Sequence, residues 1–163
     1  ANDFKEIYND AWKDLENFTP ITDILIRETF ERIKIIMDER LIWFAYVNGE
    51  PASMIVIVPD TNELIRNLNG RLGLWGKLKF MLNKWGRKNT RMRAVIMGTK
   101  GKFQKHGLES AIIIKLKEYV LPLQQYKELE LSWVGDFNTK MIALHEATGA
   151  TFSKKHITYR YTF

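Results

Sequence analysis

An Asn-Gly dipeptide joins two strand-like segments in the first third of the chain, and it limits the fold more than any other local signal. Residues 41–47 are rich in aromatic and branched side chains, Asn48-Gly49 follows directly, and residues 52–58 are again apolar. Asn and Gly both adopt the positive φ angles of a tight two-residue turn, and branched or aromatic side chains favour extended backbone. The pattern therefore predicts an antiparallel hairpin.

Helical and strand-like periodicities follow one another along the rest of the chain. The helices are predicted over 3–15, 22–37, 108–121 and 138–148, and the further strands over 91–99, 128–134 and 154–163. Thr22 is expected to cap the second helix, and Gly149 to end the last one. The order helix, helix, hairpin, insertion, strand, helix, strand, helix, strand predicts an α/β fold with one mixed sheet, in a single domain over 1–163.

The composition excludes several kinds of chemistry. The sequence has 163 residues and no cysteine, so thiol nucleophiles, disulfides and thiolate metal sites are excluded. Its three histidines are scattered without carboxylates at ligand spacing, so we expect no metal site. No signal peptide opens the sequence, and no apolar run approaches the roughly 18 residues that span a bilayer, which favours a cytoplasmic protein. The formal net charge of +6 favours an anionic partner.

A basic loop containing two glycines separates the 91–99 strand from the helix that follows it. Its basic residues are Lys100, Lys102, Lys105 and His106. The start of a helix leaves backbone N–H groups unpaired and carries the positive end of the helix dipole, so phosphate groups bind there. Gly107 would allow a close approach of the backbone because it has no Cβ. Taken alone, the pattern is equally typical of a solvated surface turn.

The segment Gln104-Lys105-His106-Gly107-Leu108-Glu109 resembles the Arg/Gln-x-x-Gly-x-Gly/Ala motif of the GNAT superfamily of N-acetyltransferases and fits five of its six places. The order of elements is similar to that family across nearly the whole chain. The resemblance implies a GNAT-like fold, with a central, mostly antiparallel sheet, a splayed parallel pair and flanking helices. The family's first strand is not visible in this sequence.

The resemblance also implies acetyl-CoA, or another acyl-CoA, as cofactor. Its diphosphate would bind at the helix start, and its pantetheine arm would contact Asn138, which could also cap the last helix. The residues assigned to the cofactor in this way are Met97, Gly98, Thr99, Gln104, Lys105, His106, Gly107, Leu108, Glu109, Ser110 and Asn138. Glu109 departs from the motif, because the family has a small residue there and a carboxylate would repel the diphosphate.

Several stretches resemble, more narrowly, a bacterial subgroup of GNAT-like proteins in which this region is the C-terminal part of a longer chain. They are IYNDAW (7–12), PDTNE (59–63), NGRL (69–72), ELSWVGDFN (130–138) and GATFSKKHITYRY (149–161). The sequence lacks an initiator Met and starts almost directly in a helix. Both features are compatible with a piece of such a longer chain.

The implied reaction is direct attack of an amine on the thioester, and three groups are expected to assist it. A backbone N–H near Met97 or Gly98 would donate to the thioester oxygen. Glu130 is the best candidate for the base that deprotonates the amine, provided that its face of the strand borders the cleft; Asp60 and Glu63 are alternatives.

The third group is a proton donor for the departing thiolate. In the family a Tyr does this, and His145 stands at its place. An imidazole titrates near neutral pH and is suited to the role. His145 is equally compatible with a solvated or packing histidine.

The insertion over 60–88 carries a basic amphipathic helix. Eight Lys or Arg and no acidic residue lie between Arg71 and Arg93. Trp75, Leu78, Leu82 and Trp85 fall at helical spacing and form one stripe. Such a stripe either packs on the core, with the lysines as its solvated face, or contacts an anionic membrane surface or an acidic protein. Contact of the second kind would make the acyl donor or the acceptor lipid-like.

We therefore expect an acyl-CoA-dependent N-acyltransferase, in the simplest case an N-acetyltransferase, that acts on a small-molecule or lipid-like amine as a monomer or homodimer. Two alternatives stay open: a non-catalytic GNAT-shaped binding module, and a domain that binds membrane or an acidic partner through 71–93. Nucleic acid is not favoured, because aromatic and basic residues do not alternate along a strand surface.

Overall fold

The structure is a computed structural model that describes residues 1–68, 70, 73–86 and 89–162. Within these residues a four-stranded sheet runs in the order β1-β2-β3-β4. The strands are β1 (Ile42–Val47), β2 (Glu50–Pro59), β3 (Arg91–Thr99) and β4 (Glu128–Leu131). β2 pairs antiparallel with β1 and β3, and β3 pairs parallel with β4. The predicted mixed sheet, mostly antiparallel with one parallel pair, is confirmed.

Helices flank the sheet on both faces. In the described part of the chain they are α1 (Asn2–Ala11), α2 (Asp23–Ile33), α3 (Thr61–Ile65), α4 (Leu74–Trp85), α5 (Leu108–Val120) and α6 (Thr139–Ala147). The predicted caps are present: the Thr22 hydroxyl accepts from the Leu25 N–H at 3.3 Å, and Gly149, with φ of 80°, follows α6. Asn48 and Gly49 have φ angles of 51° and 81°, which is the predicted hairpin turn.

Two apolar clusters hold the layers together, one on each face of the sheet. The cluster under α5 consists of Leu41, Ile55, Ile57, Met92, Ala94, Ile112, Leu116, Val120 and Tyr126. The cluster under α1 and α2 consists of Phe4, Ile7, Ile26, Met54 and Val56. β2 contributes to both because it is an inner strand covered on both faces, and all its residues from 52 to 57 are buried.

The structure corrects two predictions near the C-terminus. β4 ends at Leu131 instead of 134, and 154–162 form no strand; Phe163 lies outside the described residues. Alternation predicts which side chains share a face, but a strand also needs a neighbouring edge to pair with, and β4 is only four residues long. Tyr159 and Tyr161 of the predicted strand are accordingly 85% and 80% exposed.

Candidate functional site

β3 and β4 pair over only part of their length. The parallel register joins Arg91–Ala94 to Glu128–Leu131, where β4 ends, whereas β3 continues to Thr99. The Ser132 hydroxyl donates to the Ala94 carbonyl at the point where the two strands separate. Among the described residues no strand lies beside the outer edge of 95–99, and we call this opening the wedge.

A bulge in β3 lies directly at the wedge. The register with β2 shifts between Val56 and Ile57, which pair with Ile96 and Ala94 and leave Val95 without a partner. The side chain of Val95 is 42% exposed, although β3 is an inner strand. A bulge of this kind bends the strand and re-aims the backbone groups that follow it.

The hydrogen-bond pattern beyond the bulge shows which amides face the wedge. The Lys100 N–H donates to the Ala52 carbonyl at 2.9 Å, which makes the pair that contains Thr99 a non-hydrogen-bonded pair. Since antiparallel pairs alternate, the Gly98 N–H points to β2 and the Met97 N–H points into the wedge. Of the two donors expected from the sequence, Met97 is thus the one positioned for a ligand there.

Gly98 has a packing role that the sequence did not indicate. A Cβ added at Gly98 would lie 2.6 Å from ring atoms of Trp12 and 3.2 Å from the Cβ of Ala11. Trp12 directly follows α1 and stacks on Tyr8, with ring centroids 4.7 Å apart. The glycine therefore allows the end of α1 to pack against β3.

The loop after β3 presents backbone N–H groups at the start of α5. Lys105 and Gly107 have φ angles of 67° and 72°, whereas the φ of His106 between them is not positive. Alternating signs of φ direct successive N–H groups into one concavity that suits an anion. Gly107 provides no side-chain cap, and the helix hydrogen bonds begin with the Ala111 N–H, so the helix leaves the amides of 108–110 without i−4 partners.

Polar contacts hold this loop to the strand. The Gln104 side-chain amide donates to the Thr99 carbonyl at 3.4 Å, and the Nδ1 atom of His106 lies 2.9 Å from the Gln104 carbonyl. The side chains of Lys105 and Ser110 are exposed, and Leu108 is half-buried. The carboxylate of Glu109 has neither ion-pair nor hydrogen-bond partner in the described part of the chain, so nothing there turns it away from the helix start.

Lys100 and Lys102 point to the α1 side instead of the helix start. Lys100 is 4% exposed and forms ion pairs with Glu6 and, at 3.0 Å, with Glu50; Lys102 binds Glu50 at 2.6 Å. Burial acts to lower the pKa of Lys100, but its hydrogen bonds to the two carboxylates outweigh burial and raise it. These lysines therefore add little charge to the loop concavity.

A cleft of about 520 Å³ opens on this side. It is lined by Glu6, Asn9, Asp10, Lys13, Glu50, Lys100 and Lys102. The Gly101 N–H donates to Asp10 at 2.6 Å, and this hydrogen bond lowers the pKa of Asp10. Sequence reasoning missed these carboxylates because they come from α1 and the hairpin; the spacing of Glu6 and Asp10 on one helix face was the available signal.

Glu130 lies on β4 just before the wedge and is held by two cations. Its carboxylate binds Arg93, the partner residue on β3, at 3.0 Å and lies 3.9 Å from the Lys154 ammonium. The side chain is 29% exposed. The carboxylate is thus accessible, but it must leave an ion pair before it can accept a proton.

The alternative carboxylates have structural roles at the other end of β3. Glu63 accepts hydrogen bonds from the backbone N–H groups of Thr90 and Arg91, at 2.7 and 2.9 Å. Asp60 caps α3 by accepting from the Asn62 N–H at 3.0 Å. Neither borders the wedge, because Arg91 begins β3 and the wedge begins four residues later.

α6 carries the last two predicted site residues. The Asn138 side chain accepts from the Met141 N–H at 3.2 Å and so caps this helix, which leaves its amide N–H groups for a ligand. His145 is half-buried, and burial lowers its pKa from the ordinary 6.5. Its imidazole is therefore neutral at pH 7, which suits a proton acceptor better than a donor.

The described residues contain no group of three or more His, Cys, Asp or Glu side chains arranged to hold a metal ion. None of the helices they form is both long enough and apolar enough to cross a bilayer.

The chain has relatives of known name but matches no family model. It is 35% identical over 160 residues to the bacterial ceramide synthase of Caulobacter vibrioides, an alignment that covers 94% of this chain and 41% of that protein. It is 29% identical over 160 residues to protein YghO of Escherichia coli, covering 95% of this chain and 40% of that protein. The chain thus spans about two fifths of the length of these curated relatives.

Solved acetyltransferase structures match over almost the whole chain. The aminoglycoside 6'-N-acetyltransferase AAC(6')-Ig of Acinetobacter haemolyticus is 12% identical, with a TM-score of 0.59, and covers 99% of this chain and 92% of its own. AAC(6')-Iy, in complex with the bisubstrate analogue CoA-S-monomethyl-acetylneamine, is also 12% identical, with a TM-score of 0.59 and coverage of 99% and 91%. The chain therefore has the GNAT acetyltransferase fold, which confirms the predicted fold class.

Proposed function

We propose that this chain forms an acyl-CoA-dependent N-acyltransferase domain. The observation that carries the proposal is the wedge between β3 and β4 together with the start of α5 beside it. The wedge exposes the Met97 N–H, and the loop ending at Gly107 presents a concavity of backbone N–H groups one short loop away. A thioester group and a diphosphate need these two sets of donors.

The residues present fit an acyl-CoA with one exception. Acyl-CoA would supply an activated carbonyl carbon as a thioester. The Met97 N–H would donate to the carbonyl oxygen, and the amides of 108–110 would bind the diphosphate. Glu109 opposes this charge, so its side chain must point away from the bound diphosphate.

Glu130 is our candidate for the base. A primary amine with a pKa near 10.4 is almost fully protonated at pH 7, so a base that takes its proton contributes about 10²- to 10⁴-fold. The amine nitrogen would then form the new bond to carbon and lose its second proton. The C–S bond would break, and the sulfur would leave with the electron pair and take up that proton as the thiol. Arg93 and Lys154 keep the Glu130 carboxylate in place at the rim of the wedge.

The acceptor that we propose is a long-chain amine. The Caulobacter relative is named for ceramide, in which a fatty acyl group is amide-linked to a long-chain amino alcohol. The exposed apolar stripe of α4, with Trp75 at 83% exposure, also fits a protein that works at a lipid phase. We therefore propose transfer of acyl groups beyond acetyl, in the cytoplasm, to such an amine.

Product analysis by mass spectrometry tests the proposal. Acetyl-CoA and palmitoyl-CoA are each offered with a long-chain amino alcohol or with a small polyamine, and we expect an amide of the long-chain amine. Met97→Pro removes the N–H that faces the wedge without deleting a ladder bond to β2, and should lower kcat about 10²- to 10³-fold. Met97→Leu keeps the N–H and should retain most activity.

One alternative has a specific observation in its favour. The ion-paired Glu130 fits a GNAT-shaped module that binds acyl-CoA without turnover. Acyl-CoA binding with no amide product from any amine offered would support that module and refute the acyltransferase. Equal activity of Met97→Pro and Met97→Leu would show that the Met97 N–H is not the donor.

A further inference from the structure

The apolar stripe of α4 faces solvent. Trp75 is 83% exposed, Leu78 50%, Leu82 54% and Trp85 75%, and Leu74 before them is 87% exposed. The stripe predicted from helical spacing is thus present, but its packing on the core, one of the two expectations from the sequence, is wrong. A helix with its apolar face in water is an interaction surface.

Polar contacts fix α4 in this orientation. Asn83, on the opposite side of the helix, is 9% exposed, and its side-chain amide donates to the Leu64 carbonyl at 3.1 Å. The ammonium groups of Lys79 and Lys84 donate to the carbonyls of Asn67 and Ile35, at 3.2 and 2.5 Å. The helix is therefore held to the protein by its polar side.

The charge around the stripe is positive and unneutralised. No carboxylate in the described part of the chain pairs with Lys77, Lys79 or Lys84 of α4. The sequence from Arg71 to Arg93 has eight basic and no acidic residues. Arg91 and Arg93 lie on β3 and pair with Glu128 and Glu130, and Arg71, Arg87 and Lys88 lie outside the described residues. An apolar face bordered by cations that no carboxylate neutralises matches a surface that offers both apolar depth and negative charge.

We propose that α4 docks this protein on an anionic lipid surface. Trp75 and Trp85 are ten residues apart, about 15 Å along the helix axis. Tryptophan favours the headgroup level of a bilayer, and leucines between two such anchors would reach the acyl boundary. The Lys77 side chain would extend to the lipid phosphates, and the Lys79 and Lys84 ammonium groups would exchange their carbonyl partners for them. An acidic protein would also satisfy the charges, but a tryptophan at each end with leucines between them matches the headgroup and acyl levels of a bilayer.

The place of α4 in the fold is compatible with a reaction beside the membrane. α4 lies between the end of β2 and the start of β3, whereas the loop of 100–107 follows the end of β3. A strand of nine residues spans about 26–30 Å, so docking through α4 leaves the loop open to water. The docking proposal does not depend on the proposed reaction, since binding is measured without turnover.

Vesicle co-sedimentation tests the surface directly. Vesicles of phosphatidylcholine with phosphatidylglycerol are compared with vesicles of phosphatidylcholine alone, and we expect binding to the first and little to the second. Trp75→Ser combined with Trp85→Ser should weaken binding by at least about tenfold, because two large apolar side chains are lost. Lys77→Gln combined with Lys79→Gln should weaken it about 25-fold, or about fivefold for each cation near the surface.

Matched control variants distinguish binding through the α4 stripe from non-specific adsorption to lipid. Trp133→Ser removes a tryptophan that is 81% exposed elsewhere, and Lys117→Gln combined with Lys127→Gln removes two exposed cations from other elements. Both control variants should bind as the wild type does. Equal loss in the controls, or full binding by the α4 variants, would overturn the proposal.

Two further measurements keep the test decisive. Brominated lipid should quench tryptophan fluorescence of the unaltered chain, and the quenching should disappear without phosphatidylglycerol. The lipid proposal is wrong if the protein does not bind these vesicles but binds an acidic acyl carrier protein through α4. It is also wrong if the protein does not bind them and self-associates through α4.

Discussion

Gly98→Ala should destabilise the protein through a clash with the end of α1. The added Cβ would stand 2.6 Å from two ring carbons of Trp12 and 3.2 Å from the Ala11 Cβ, well inside normal contact. Trp12 also contacts Tyr8, with ring centroids 4.7 Å apart, so a shift of its ring away from Gly98 would disturb that contact. Overpacking of this kind costs about 1–3 kcal/mol of the free energy of unfolding. For a chain of this size that lowers Tm by roughly 2–4 °C per kcal/mol.

Thermal and urea unfolding of three variants tests this reasoning. Gly101→Ala is the control, because its Cβ would meet only Asp10 at 3.6 Å, an ordinary contact, and we expect a change within about 0.5 kcal/mol. Trp12→Leu vacates the space beside Gly98, so Gly98→Ala should cost much less in that background. A double-mutant cycle should then give a coupling of about 1–3 kcal/mol.

The same variants separate packing from ligand binding at Gly98. Because the Gly98 N–H points to β2 and its open side is filled by Trp12, the affinity for CoA should stay within about threefold in Gly98→Ala. A large loss of CoA affinity that Trp12→Leu does not restore, at unchanged stability, would refute the packing explanation.

Three further predictions concern titrating groups. Burial acts to raise the pKa of Asp38, but hydrogen bonds from Arg40 and Tyr126 hold this pKa below the ordinary 3.8. The ionised Asp38 therefore stabilises the folded protein fully above pH 3.8. This stabilisation is lost as the pH falls through the lowered pKa of the folded state. Asp38→Asn should therefore cost about 1.5–3 kcal/mol at pH 7 by urea unfolding, with the difference shrinking below pH 3.8; a constant difference down to pH 2 would contradict this. His145→Gln should lower kcat less than about tenfold at pH 7, because the imidazole is neutral and the leaving thiol is already acidic. A loss of about 10²-fold or more would show that His145 is the proton donor. Glu130→Gln should lower kcat about 10²- to 10⁴-fold if Glu130 is the base. Arg93→Gln leaves the carboxylate and Lys154 present and should lower kcat much less; equal losses would make the pair structural.

The sequence predicts the local part of this structure well. The Asn48-Gly49 turn, the Thr22 cap and the start of α5 after Gly107 depend on neighbours within a few residues, and all three are present. The GNAT fold follows from the order of these elements together with the resemblance of the loop. The strand predicted over 154–163 is absent from the described residues, because a strand needs a free edge to pair with, and that edge is supplied by residues far away in the sequence.

The candidate site is less predictable for the same reason. Lys100 stands in the basic loop of the sequence, yet its ammonium is buried against Glu6 and Glu50, which come from distant elements. The role of Gly98 depends on Trp12, and the direction of the Met97 N–H depends on a bulge at Val95. The exposure of the α4 stripe also cannot be predicted from the sequence of α4 alone, because helical periodicity does not show which face of the helix packs on the core.

Calorimetric titration of CoA into the wild type, Gly107→Glu and Gly70→Glu tests the central claim, an acyl-CoA site formed by the wedge and the start of α5. Gly70 is a matched control, because its φ of 72° equals that of Gly107, and at either position an added Cβ meets no atom of the described residues within 4 Å. We predict a micromolar Kd, or about −8 kcal/mol, for wild type and Gly70→Glu, and at least a tenfold loss for Gly107→Glu, whose carboxylate would face the diphosphate. No binding by the wild type, or equal binding by all three proteins, would contradict the account.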